Sequence, residues 1–99
     1  MRVAKVVGQV VATIRSPDMR MDKLCLVEFV DKKGKSTSEV HVAMDQLGAG
    51  EGEWVLVVAG SSARMAYGTS GEHSPVDLCV VGIIDEITSD QSIQYHKGQ

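Results

Sequence analysis

Two long runs of β-branched and aliphatic residues, VAKVVGQVVATI at 3–14 and LCVVGIIDEIT at 78–88, are each broken once by a glycine, Gly8 and Gly82. A glycine inside a strand marks a bulge, a bend or the close approach of another backbone. Long strands that bend in this way do not suit a flat open sheet. They predict a small closed barrel, which also removes exposed strand edges.

The rest of the chain supplies the remaining walls. KLCLVEFV at 23–30 reads as a second strand, and DKKGK at 31–35 as a turn in which Gly34 is free to take a positive φ. EVHVA at 39–43 is the hairpin partner, with Val40 and Val42 alternating with His41. EWVLVVAG at 53–60 is apolar on both faces, as expected of a strand that is buried or lies at a subunit contact. GSSARMAY at 60–67 reads as a short helix with Ser61 or Ser62 as its N-cap, followed by a polar loop, GTSGEHSP, at 68–75. The fold class is mainly β: five strands in a small barrel, with one short helix. One domain spans 1–88, and 89–99 is a polar tail. A chain of 99 residues buries roughly 60–65% of its unfolded surface. With aromatics at only 4%, the core is built of valine, leucine, isoleucine and methionine.

Charge and motif spacing exclude several function classes. The net charge is −3 and lysine and arginine do not cluster, so the basic footprint of a nucleic-acid binder is missing. The apolar runs are far shorter than the about 20 residues of a spanning helix, and the N-terminal stretch lacks a small-residue cleavage site. The expected location is cytoplasmic. Cys25 and Cys79 each sit in an apolar run without zinc-site spacing and read as reduced core thiols, a disulfide or a reactive nucleophile being the alternatives. His41, His73 and His96 are scattered, so no metal is expected. Asp85 and Glu86 are adjacent on a strand and point to opposite faces, which makes them a poor acid–base pair. Ser61 and Ser62 lack the nucleophile-elbow pattern. No catalytic residue and no cofactor is assigned.

The segment GAGEGEWVLVVAGSSAR at 48–64 invites comparison with a phosphate cradle. Gly48-Ala49-Gly50-Glu51-Gly52 is followed by a strand, where a phosphate loop requires a helix, and Glu51 and Glu53 would repel an anion. Gly60-Ser61-Ser62-Ala63-Arg64 does follow a strand and open a helix. It reads either as a capped turn with a surface or interface arginine, or as a contact for an anion or polar solute.

Taken together, MRVAKVVGQVVATIRSP, GAGEGEWVLVVAGSSAR and PVDLCVVGIIDEI resemble the EutN/CcmL family of bacterial microcompartment vertex proteins, over residue 1 to about 87. The wording around Trp54 and SPVDLCVVGIIDE is closer to the ethanolamine-utilisation branch. The resemblance implies a barrel related to the oligonucleotide/oligosaccharide-binding fold, assembled into a homopentamer that caps the five-fold corners of a polyhedral shell. It implies hexameric shell proteins as facet partners, encapsulated enzymes as indirect ones, and no catalysis. Gly48, Ala49, Gly50, Gly52 and Glu53 match the family's GAGxGE signature, which implies close backbone approach between subunits. Gly60, Ser61, Ser62, Ala63 and Arg64 are placed by the same resemblance at or near subunit contacts and the central opening. The competing readings are a barrel module for nucleic acid or another polar ligand, and a small enzyme or flavin-binding barrel.

Overall fold

The computed structural model describes residues 1–13, 15, 23–67, 77–89 and 94–97. The strands are β1 (Arg2–Val10), β2 (Lys23–Val30), β3 (Ser36–Asp45), β4 (Trp54–Ala59), β5 (Leu78–Ile83), β6 (Glu86–Thr88) and β7 (Gln94–His96), with one helix, α1 (Gly60–Tyr67). The first five strands close a barrel in the order β1-β2-β3-β5-β4, and β6 and β7 form a separate two-stranded ribbon. The loop expected at 68–75, with His73 in it, lies outside the described residues.

Alternation fixes which side chains fill the barrel. Ala4 and Val6 from β1, Cys25, Val27 and Phe29 from β2, Ala43 from β3, Val55 and Val57 from β4 and Val80 from β5 make one buried cluster. Its fully buried members are no larger than valine or cysteine, which suits the narrow lumen of five strands. Each buried valine contributes about 1.5–3 kcal/mol relative to exposure. A second cluster lies where α1 covers the wall: Ala63 packs with Leu24, Met44 and Cys79, flanked by Val10, Ala12 and Val58.

Both interrupting glycines sit where the ladder slips. Between β1 and β2 the register shifts between Val6 and Gly8, leaving Val7 as the extra residue. Between β4 and β5, Leu56 faces Gly82 and Val57 faces Val80, so Val81 is the extra residue. A Cβ at Gly8 would stand 3.4 Å from Leu26 Cδ1, and one at Gly82 would stand 3.4 Å from Leu56 Cδ1. Glycine lets each leucine lie down across the neighbouring strand.

Element ends differ from expectation for local reasons. β1 stops at Val10, not at residue 14, and its ladder with β2 ends at the Val10–Leu24 pair. β3 is ten residues long, not five. Thr37 Oγ1 donates to Phe29 O (2.9 Å), and Ser38, with φ +63°, lies at the one irregularity of the β2–β3 ladder. The last strand breaks after Ile83, and Ile84 N–H turns to Trp54 O (2.9 Å). Neither serine caps α1. Gly60, at φ +63°, makes the turn from β4 and is already counted in the helix, so Ser61 and Ser62 occupy its first turn.

Candidate functional site

The two halves of the glycine-rich segment sit at opposite ends of β4. The first half closes the barrel through Ala49, which is fully buried in the main cluster. What shapes it is an acid the motif itself does not contain. Asp45, at the end of β3 and 2% exposed, accepts from Leu47 N–H (3.0 Å) and Gly48 N–H (3.0 Å) through Oδ1 and from Ala49 N–H (2.7 Å) through Oδ2. Lys23 Nζ stands 3.8 Å from Asp45 Oδ2 and donates to Ala49 O at 2.8 Å. Glu53 Oε1 takes the next amide, that of Gly50, at 2.6 Å. Successive amides that would otherwise form an anion-binding concavity are filled by the chain's own carboxylates.

The backbone explains which glycines are required. Gly48 (φ +81°) and Gly52 (φ +87°) occupy the left-handed region, and a Cβ at either would meet nothing within 4 Å, so the demand is conformational. Gly50 does not take positive φ; a Cβ there would stand 3.4 Å from Glu53 Oε1. Gly52 N–H donates to Val6 O (2.8 Å) and Val6 N–H to Glu53 O (2.9 Å), stitching the loop to β1.

The chain's end reaches the same loop. Lys97 Nζ lies 3.2 Å from Glu53 Oε2 and 4.0 Å from Asp85. Trp54 stacks on Tyr95 with ring centroids 4.6 Å apart and 16° between planes, and the Trp54 backbone N–H donates to Tyr95 Oη (3.2 Å). The Gly50 amide and then Lys97 hold the Glu53 carboxyl below its usual range, and Glu53 in turn raises Lys97. A tail read only as polar thus contributes an aromatic lid and a cation.

The second half of the segment is organised differently. Gly60 N–H donates to Asp77 O (2.9 Å), Ser61 and Ser62 are exposed, and the first turn of α1 carries no acid. Ala63 is buried under the helix, while the Arg64 side chain lies outside what the structure describes.

A third group, at the start of β1, was not among the candidates read from the sequence. Arg2 lies over the Phe29 ring, 3.6 Å from its centroid, and donates to Glu39 Oε2 (3.3 Å), which His41 Nε2 also reaches (3.0 Å). His41, then Arg2, lower the Glu39 carboxyl. With Val57 and Leu78 these side chains line a groove of about 500 Å³. The guanidinium is already neutralised there.

Nucleophile chemistry finds no support in this arrangement. Burial, followed by the Asp45 charge, pushes the Cys25 thiol up to about 11, and burial likewise raises Cys79, so both are protonated at neutral pH. Both are free thiols. Asp85 and Glu86 are exposed, and Asp85 faces Lys97. Among the described residues no group of three His, Cys, Asp or Glu side chains is placed to hold a metal ion, and no helix is long and apolar enough to cross a membrane.

Comparison with known proteins adds the wider context. A family model described as "Ethanolamine utilisation protein EutN/carboxysome" matches residues 1–85. The bacterial microcompartment shell vertex protein EutN of Escherichia coli (strain K12) is 50% identical over 97 residues, covering 98% of this chain and all of the relative. A solved structure of an ethanolamine utilization protein, EutN, superposes with a TM-score of 0.88 at 49% identity over 98% of this chain and 99% of its own. The GrpN pentameric microcompartment shell protein from Rhodospirillum rubrum superposes with a TM-score of 0.78 at 37% identity, over 90% of this chain and 99% of its own.

Proposed function

The chain belongs to the EutN/CcmL family, and on that premise we propose that it is a structural shell protein of a bacterial microcompartment, whose pentamers cap the vertices of the polyhedral shell. The observation that carries this reading is the end-to-end similarity, at half the residues, to a shell vertex protein, combined with the same barrel in a pentameric shell protein. Its place is the shell, within the cytoplasm. A flat hexagonal sheet closes into a polyhedron only when five-fold units supply curvature, so the functional output is geometric.

Several finer assignments belong to the same proposal. The loop of Gly48, Ala49, Gly50, Gly52 and Glu53 packs near a neighbouring subunit, and Gly60, Ser61, Ser62, Ala63 and Arg64 lie at or near the subunit contacts and the central opening. Support comes from the rigidity of the loop: amides fastened to Asp45 and Glu53 present a fixed backbone surface with few side chains. Residues 1–88 act as the assembling unit, with 89–99 an extension tied back through Tyr95 and Lys97. The partners are four further copies and hexameric shell proteins, with the enclosed enzymes met indirectly. The chain performs no catalysis, carries no cofactor and binds neither nucleic acid nor membrane.

Native mass spectrometry across a dilution series tests the central claim. A pentamer that persists on dilution is the expected result. A monomer, or a stable hexamer, removes the five-fold geometry that a vertex role requires.

A further inference from the structure

We propose that two apolar stripes on the outer wall of the barrel, one centred on Leu26 and Val42 and the other on Leu56 and Val81, are the two complementary halves of the contact between adjacent copies of this chain. The inference rests on the pentamer reading above and adds which surfaces make the ring. A ring of five has no two-fold axis relating neighbours, so each copy must present two different faces, one to each side. The barrel has two candidates.

The first stripe crosses β1, β2 and β3. Gly8 pairs with Leu26 and Leu26 with Val42, which puts the three in one row on the outside. Val40 lies two residues along the same face, and Val7 is the bulged residue beside Gly8. Val7, Val40 and Val42 are 41%, 47% and 46% exposed. An antiparallel wall facing water is normally polar on that side, and here it is not. The nearest outward charges, Lys5 and Glu28, stand opposite each other in register and offset one another.

The second stripe crosses β1, β4 and β5. Val3 pairs with Leu56 and Leu56 with Gly82, and the bulged Val81 beside them is 37% exposed. Adjoining it is a groove of about 230 Å³ lined by Val3, Val30, Trp54 and Ile87 together with the charged Arg2, Asp31 and Lys32. Both stripes are built alike. A glycine in one strand lets a leucine of the next lie across it, which gives a flat apolar surface with a valine raised beside it.

Their placement suits a ring. In the strand order β1-β2-β3-β5-β4, one stripe centres on β2 and β3 and the other on β4 and β5, so they face different sides of the barrel. One neighbour cannot cover both. A copy that meets one stripe leaves the other free for the next copy, and the chain of contacts ends only on closure. Each joint contributes modestly, and five joints closed together hold far more tightly than one.

Two variants decide the matter, Val42→Glu and Val81→Glu, each placing a carboxylate on an exposed position. Circular dichroism and thermal melting establish that each still folds. The expected result is that each variant alone is monomeric under conditions where the wild type is pentameric. Mixed, with one of them 15N-labelled so that masses differ, they form a one-to-one heterodimer by native mass spectrometry, because the intact stripe of each meets the intact stripe of the other. A pentamer surviving in either variant overturns the proposal and leaves the pentamer reading standing. Two monomers that stay apart on mixing overturn the pairing of the stripes. A wild type that is not pentameric fails at the earlier reading, and this one falls with it. Should a glutamate variant unfold, Val42→Thr and Val81→Thr replace it. They are near in shape, and each is expected to raise the concentration at which the ring dissociates by at least about tenfold, since a closed ring feels the change at every joint. An unchanged dissociation concentration in both overturns the proposal.

Discussion

The turn after β3 and the turn into α1 both carry a glycine at positive φ, yet they are held by opposite means. In the first, Asp45 and Glu53 draw successive backbone amides onto their carboxylates, and Ala49 is sealed in the barrel. In the second, Gly60 donates one backbone bond to Asp77 and the serines face outward. A run of glycines with free amides is a place for a ligand only when nothing in the chain occupies those amides first. The first turn has an internal anion, and the second is held by its backbone and by Ala63 beneath it.

The strongest way to break that contrast is to remove the internal anion. Asp45→Ala leaves three amides without their acceptor, one of them on fully buried Ala49. The expected loss is about 3–5 kcal/mol, since unpaired buried donors cost about 1–3 kcal/mol each and the loop relaxes to rehydrate part of them. Urea denaturation at fixed protein concentration measures it. A shift under about 1 kcal/mol would mean that water substitutes freely for the carboxylate, and that the loop is not the closed corner described.

This corner also marks how far the sequence could be read. The barrel was legible because its signal is distributed: apolar runs in β2 and β4, alternation in β3, glycines in β1 and β5, and one eight-residue stretch with helix chemistry. The rejection of a phosphate site in the first turn was legible too, from the strand that follows it and from its two acids. Asp45 was not. It lies outside the glycine motif, and its role depends on a loop that curls back over it, although an aspartate with glycine three residues later is a local pattern in which a side chain captures following amides. Tyr95 and Lys97 were illegible for a different reason. Their partners, Trp54 and Glu53, are more than forty residues away, and a short polar tail carries no periodicity to announce a strand. The Arg2–Glu39–His41 group was hidden for the same reason, since the registers of β1 with β2 and of β2 with β3 together bring it into place.

A weaker blow falls on the backbone of the same turn. Gly52→Ala forces an L side chain into φ +87°, where space is open but the dihedral is unfavourable, and about 1–2 kcal/mol is expected. Gly50→Ala is the matched control. Its φ is not positive, and the new Cβ meets only the end of the Glu53 side chain at 3.4 Å, so its cost is expected to be the smaller of the two. Thermal melts of the pair rank them. The reverse order would show that the Gly50–Glu53 contact, not the left-handed backbone, sets the loop's glycine requirement.

The smallest effect belongs to the other turn. Ser62→Ala is expected to change stability by no more than about 0.5 kcal/mol, and in the stabilising direction, because alanine is the better helix former and the serine lies inside the first turn, not at the cap. A loss near 1 kcal/mol by thermal melting would instead reveal a capping bond, and would make the two turns alike in depending on a side-chain oxygen. The same variant separates folding from assembly. If its melting temperature is unchanged while its pentamer dissociates at higher concentration than the wild type, the exposed hydroxyl acts on a neighbouring subunit, which is the role proposed for this turn. If both are unchanged, the Ser62 hydroxyl plays no part in the ring, and the role proposed for this turn loses its support.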